Sequence, residues 1–171
     1  AFAKAREAGE KALAINPDYA PAHADLGGIA LSYDNDLAQA ARHFERALQL
    51  DPANIDIIRY AALLLVSLGR MDESISLGEY VNARDPVNPN GYYILGYSYV
   101  YAGRWDDAIA SLQTAQRLSP GYISTHYGIG TALLLKGEPG AALAAMQQES
   151  FEGFRLLGSV MAHYALGDQA A

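Results

Sequence analysis

Five tyrosines fall within ten residues of the stretch 91-GYYILGYSYVYAGRW-105, at positions 92, 93, 97, 99 and 101. A phenol ring can line a binding surface, fill a core with its hydroxyl satisfied, or alternate along a strand. Tyr97, Tyr99 and Tyr101 alternate with Ser98 and Val100, so the stretch read alone fits a strand. Other residues able to do chemistry are sparse. His23, His43, His126 and His163 are far apart in sequence, and neither pairing with a nucleophile nor metal-ligand spacing links them. Asp106-Asp107 and Asp72-Glu73 have no partnered base, nucleophile elbow or phosphate loop beside them. They follow glycine turns and open helices, where carboxylates favour the helix dipole. Neither P-loop nor G-x-G-x-x-G turn occurs, so no enzyme and no cofactor is expected.

The bulk properties narrow the class further. With 171 residues and an apolar share of 51%, the chain can bury a core as one domain or one short solenoid. Its net charge of −7 argues against a nucleic-acid binder, which needs a basic face. There is no cysteine, which rules out disulfides and thiolate metal sites. No apolar run approaches the roughly 20 residues that span a bilayer, so no membrane insertion is expected. The opening AFAKAREAGEKALAIN reads as an amphipathic helix and lacks the apolar core of a signal peptide. With no methionine at its start, the sequence reads as an excised piece or a processed product, and a cytoplasmic setting is expected.

Self-comparison overturns the strand reading. INP, LDP, RDP and LSP end at Pro17, Pro52, Pro86 and Pro120, spaced 35, 34 and 34 residues apart. Before each proline one pattern recurs: Ala5, Gly9 and Ala12; Ala40, Phe44 and Ala47; Ser74, Gly78 and Val81; Ala108, Leu112 and Ala115. After each comes a helical stretch with its own pattern, fullest in Tyr92, Leu95, Gly96 and Tyr99. His23, Leu26, Gly27 and Ala30 form a second version, and His126, Ile129, Gly130 and Leu133 a third. Ile58, Ala61, Ala62 and Leu65 are a weaker one. Small residues at the recurring places let helix backbones approach, and the prolines close each unit because they cannot continue a helix interior. Leu-Gly-Arg at 68–70 and Ala-Gly-Arg at 102–104 mark turns within pairs. The spacing predicts second helices over 2–15, 37–50, 71–84, 105–118 and 139–150. First helices are predicted over 21–33, 55–68, 89–102, 123–136 and 153–166.

These copies resemble the tetratricopeptide repeat, a 34-residue helix–turn–helix unit with the pattern W-x2-L-G-x2-Y, A-x3-F, P. No copy has tryptophan in the opening slot. The unit from Ala20 carries an extra residue near Asp34-Asn35-Asp36, expected to lengthen its inter-helix turn. The resemblance implies an all-α fold, a right-handed α-solenoid of antiparallel helix pairs forming a single array over 1–171. Its parts are a second helix over 1–17, full repeats over 18–52, 53–86 and 87–120, a fourth with a degenerate end over 121–150, and the start of a fifth over 151–171. Phe154, Leu157, Gly158 and Met161 restart the first-helix pattern only 28 residues after the previous copy. FRLLGSVMAHYALGD is similar to segments that end such arrays in bacterial regulatory proteins, including adenylate-cyclase-like and transcription-regulator proteins.

On a helix Tyr92, Leu95, Gly96 and Tyr99 make one stripe, the repeat's packing signature. The adjacent stripe holds Tyr93, Tyr97 and Val100 or Tyr101. The resemblance implies that this second stripe faces a concave groove, with Ala24, Gly28 and Leu31, then Arg59, Leu63 and Val66, then Tyr127, Thr131 and Leu134 as counterparts. The candidate ligand-binding residues are therefore Arg59, Leu63, Tyr93, Tyr97, Tyr101, Tyr127 and Thr131. An outward tyrosine can equally be a partly buried amphipathic side chain, and Arg59 can equally pair with Asp56. The lysine–asparagine clamp that some relatives use for acidic chaperone tails is replaced by Ala24, Gly28, Tyr60, Asn90 and Ile94. The implied function is a non-catalytic interaction module that binds a peptide or partner helix, with attached domains of a parent protein free to be enzymatic. The alternative is a scaffold that self-associates through uncapped, exposed terminal helices. The frame predicts that Gly96→Leu harms stability far more than Gly91→Ala, with Gly91 in a first turn.

Overall fold

The computed structural model describes residues 2–167. Every long regular element among them is helical, so the tyrosine stretch is helix. The chain divides into two compact units, one ending at Ser74 and one beginning at Ile75.

The first unit holds α1 (Phe2–Ile15), α2 (Ala20–Ile29), α3 (Leu37–Leu50), α4 (Ile55–Ser67) and the first turn of α5 (Met71–Arg84). Gly27 of α2 has no room for a side chain, since a Cβ there would lie 2.6 Å from the Phe44 ring of α3. Phe44 is buried in turn, with Ala30, Ala40 and Leu64 around it. Asn54 caps α4 by accepting from the N–H groups of Asp56 and Ile57, and its amide donates to Asp51. That satisfies helix-end donors that would otherwise be unpaired. Ser74 takes the slot that alanine holds in other second helices, and its hydroxyl donates to the Ala62 carbonyl at 3.0 Å. A polar atom is thereby buried without being orphaned.

The turn expected near Asp34 is corrected here. The extra residue near Asp34 does not lengthen the turn as a loop. It is taken up in the helix, where residues 30–34 form a π-helical turn ended by Asn35 in the left-handed region at φ 58°. A single inserted residue widens one helical turn in this way. Two of the histidines meet in a hydrogen-bonded packing contact. His23 and His43 meet with their Nδ1 atoms 3.1 Å apart, and Nε2 of His23 lies 3.0 Å from the Pro17 carbonyl oxygen. A carbonyl only accepts, so Nε2 of His23 is the donor in that contact.

The second unit holds the rest of α5, then α6 (Pro89–Tyr101), α7 (Trp105–Leu118), α8 (Thr125–Leu135), α9 (Pro139–Met146) and α10 (Glu152–Leu166). The same contact recurs. A Cβ on Gly96 would lie 2.5 Å from Leu112 Cγ, and one on Gly130 would lie 2.4 Å from Met146 Cγ. Asn88 caps α6 as Asn54 caps α4, and it also reaches back to an aspartate, Asp85. Tyr92 and Tyr99 pack as the frame requires but are half-buried, while Ile94 and Ser98 between the stripes are fully buried. Gly91, in the first turn of α6, is buried. A Cβ there would fall 2.0 Å from Asn82 Oδ1 and 3.0 Å from Val81 Cγ1, so Gly91→Ala requires the Asn82 side chain to move aside.

Gly140 in the first turn of α9 has nothing within 4 Å of a built Cβ and is the proper control. Gly96→Ala is expected to lower stability by about 1–3 kcal/mol through overpacking. Gly140→Ala is expected to leave it unchanged or raise it by about 0.4–1 kcal/mol, with urea denaturation of both variants as the check. Burial, with His23 and Arg42 nearby, depresses the His43 pKa. A depressed histidine adds stability above its unfolded pKa of about 6.5 that is lost as the pH falls through its folded value. The melting temperature should therefore drop between pH 7.5 and 5, and His43→Gln should flatten that drop.

Candidate ligand-binding face

In the second unit the expected groove tyrosines are brought together, but mainly with one another. The rings of Tyr93 and Tyr97 lie 4.7 Å apart, and Tyr122 stands 5.1 Å from Tyr93 on its other side. The Tyr97 hydroxyl donates to the Ser124 carbonyl at 2.9 Å, and the Tyr93 hydroxyl shares a 3.0 Å hydrogen bond with the Ser124 hydroxyl. Tyr122 donates to Asn90 Oδ1. Tyr97 also fills the space opposite Gly128, where a Cβ would lie 3.2 Å from its ring. Burial, reinforced by neighbouring Tyr93, pushes the Tyr97 phenol well above the usual tyrosine range. These two hydroxyls tie α6 to the start of α8. Val100 is buried with Ala108 and Ala132, so the outward member of the stripe is Tyr101, which is 60% exposed. Tyr127 stacks on Phe154 at 5.2 Å and donates to Met161 Sδ, while Thr131 donates to the Tyr127 carbonyl.

The start of α8 is built unlike those of α4 and α6, and this decides where Ser124 sits. Asp51 and Asn54, then Asp85 and Asn88, pair across their turns, but Ser119 and Tyr122 stand at the corresponding places. The helix begins two residues late, after Ser124 in the left-handed region at φ 67°. Glu149 supplies the missing cap from the turn between α9 and α10. Its carboxylate accepts from the N–H groups of Ser124, Tyr127 and Phe151, each at 3.2 Å, and the side chain is 2% exposed. Negative charge at a helix N-terminus is favoured by the free N–H groups and the dipole. No sequence rule pointed to Glu149, because its partner helix starts 24 residues earlier in the chain.

The first unit carries its own part of the candidate face. A cavity of about 380 Å³ lies between α2 and α4, lined by Pro21, Ala24, Asp25, Asn54, Asp56, Ile57, Arg59 and Tyr60. Its apolar surface comes from Ala24, Ile57 and Tyr60, and its charged surface from two carboxylates and one guanidinium. Arg59 lies over the Tyr60 ring at 4.3 Å and 3.9 Å from Asp56, the pairing that its sequence neighbourhood allowed. Tyr60 itself packs flat against Phe44 and covers Gly28. Leu63 is half-buried one turn further along α4 and does not line the cavity. No cluster of three or more metal-ligating side chains occurs among the described residues. Nor is any described helix long and apolar enough to cross a membrane.

Comparison with known proteins gives this arrangement its family. A family model described as "Tetratricopeptide repeat" matches residues 31–95, and one described as "TPR repeat" matches residues 96–137. No curated protein matches the chain. Among solved structures, a thermophilic TPR protein of Thermus thermophilus is similar at 22% identity with a TM-score of 0.78, over 88% of this chain and 84% of its own. PilW, a widely conserved type IV pilus biogenesis factor, is similar at 22% identity with a TM-score of 0.76, over 98% of this chain and 80% of its own. YrrB, a TPR protein with an unusual peptide-binding site, is similar at 18% identity with a TM-score of 0.56, over 99% and 84%. Likeness at this level carries the fold, an all-α helical-repeat solenoid. With two adjoining family models over residues 31–137, the chain belongs to the tetratricopeptide repeat family, whose helix pairs build protein–protein interaction modules.

Proposed function

We propose that the chain is a non-catalytic module that binds an extended peptide or a partner helix on the outward stripe of its first helices. The observation that supports this most is the cavity between α2 and α4, where an apolar floor is ringed by Asp25, Asp56 and Arg59. It can receive one side chain and hold its polar end, the usual division of labour in a ligand pocket. Tyr101, with Tyr127 and Thr131, offers the corresponding surface in the second unit, and Tyr93 and Tyr97 contribute ring area behind it. Arg59 and Leu63 belong to the same stripe on α4. Tyrosine and arginine suit such a role because they combine large contact area with directed polar groups.

A second reading, assembly through the end helices, is favoured by one observation. The helix α10 leaves Leu156, Leu157, Val160 and Tyr164 all more than half exposed, an apolar face of the kind that marks an interaction site.

The first reading is tested by capturing the partner on the wild-type protein and titrating it against variants. Arg59→Ala or Tyr101→Ala is expected to weaken binding at least tenfold, about 1.4 kcal/mol. Tyr97→Phe should keep wild-type affinity while lowering the melting temperature, since it keeps the ring and loses the hydroxyl's bonds to Ser124 and Tyr93. Wild-type affinity in both alanine variants would move the site off this face.

A further inference from the structure

The cavity between α2 and α4 has a counterpart within the same chain, and that counterpart is filled. In the repeat register Ala24 and Gly28 of α2 hold the places of Tyr93 and Tyr97 on α6. Asn54, Asp56 and Tyr60 likewise hold the places of Tyr122, Ser124 and Gly128. Between α6 and α8 two phenol rings occupy the gap. Tyr97 lies against Gly128, and Tyr93 sits between Tyr97 and Tyr122 with its hydroxyl on Ser124.

Between α2 and α4 one of these two rings is kept and the other is missing. Tyr60 lies against Gly28, so the Tyr97–Gly128 contact recurs with tyrosine and glycine exchanged between the helices. The place of Tyr93 has no such substitute. Ala24 offers only a methyl group there, and the cavity of about 380 Å³ lies beside it. Its walls keep what a phenol needs. Tyr60 supplies an aromatic face, Ile57 an apolar one, and Asp56 stands where Ser124 meets the Tyr93 hydroxyl. The space admits such a ring, and a carboxylate is a stronger acceptor than a serine hydroxyl.

We propose that this cavity takes a tyrosine side chain of the bound peptide, which supplies in trans the ring that Tyr93 supplies in the second unit. This rests on the peptide-binding reading above and names the residue recognised. The ring lies beside Ala24 against Tyr60 and Ile57, and its hydroxyl donates to Asp56. Arg59, held over Tyr60 and near Asp56, closes the polar side. With Asp25 and Asp56 both lining the cavity, the hydroxyl must be unmodified, since a phosphate would meet two carboxylates. Phosphorylation of that tyrosine therefore switches recognition off.

The test titrates the N-acetyl amides of tyrosine, phenylalanine, phosphotyrosine and lysine into isotope-labelled protein at millimolar concentration, read by backbone amide NMR shifts. The tyrosine amide should shift Asn54, Ile57 and Tyr60. It should bind roughly tenfold more tightly than the phenylalanine amide, the worth of one hydrogen bond to a charged group. The phosphotyrosine amide should not bind there. Ala24→Tyr should fill the cavity from within, keep or raise the melting temperature, and abolish the shifts. Asp56→Ala, at a side chain 76% exposed, should fold in any case and bring tyrosine down to the phenylalanine level. Equal binding of the tyrosine and phenylalanine amides to the wild type would overturn the proposal. Shifts at these residues from the lysine or phosphotyrosine amide alone would overturn it too, while leaving the peptide-binding face standing. No shift from any amide would also overturn it. The wider reading falls only if Arg59→Ala and Tyr101→Ala keep wild-type affinity for the captured partner.

Discussion

Three of the helix pairs depend on a contact between a missing side chain and a large one. Gly27 receives Phe44, Gly96 receives Leu112 and Gly130 receives Met146, in each case too closely for even a methyl group. The contact fixes how near two helices lie and how they are rotated about their axes. Rotation then decides which residues of the first helix turn inward and which turn outward. With Gly96 against Leu112, Ile94, Leu95 and Ser98 are buried while Tyr101 is left at the surface. The candidate face is thus a consequence of core packing, set one or two residues away from it. Between successive pairs the sizes are exchanged. Gly78 and Gly9 sit on second helices and receive Leu95 and Leu26 from the helix that follows.

Much of this was legible in the sequence because it is periodic. The prolines at 17, 52, 86 and 120 and the small residues between them place every helix to within a few residues, and they place Tyr101, Tyr127 and Arg59 outward or half-outward. What was not legible depends on single side chains reaching between elements. The hydroxyls of Tyr93 and Tyr97 could have faced a ligand as far as the stripe shows. They bond Ser124 because that residue is turned into the left-handed region by a late helix start. The tight space over Gly91 depends on the rotamer of Asn82, which no pattern position fixes. The meeting of His23 with His43 depends on how α2 and α3 cross, which periodicity alone does not give.

The fourth repeat shows how a lost local rule is made good from a distance. Two earlier turns use an aspartate and an asparagine to close the chain and cap the next helix. At Ser119 and Tyr122 neither is present, and three backbone N–H groups are instead collected by the buried Glu149 carboxylate. Tyr122, freed from capping, joins the ring cluster with Tyr93. One substitution pattern therefore links the stability of the α8 terminus to the shape of the tyrosine surface. It also anchors the turn leading into α10, since Arg155 donates to the Glu149 carbonyl.

The central claim is that the small-on-large contact, and not helix propensity, holds these three pairs in register. A double-mutant cycle at Gly96 and Leu112 tests it most directly. If the contact is the constraint, Gly96→Ala should be costly with leucine opposite and nearly free once Leu112→Ala has made room. The coupling energy should then be about 1 kcal/mol or more. Costs that add within about 0.5 kcal/mol would mean that the two residues do not sense each other, and the account of the fold would fail.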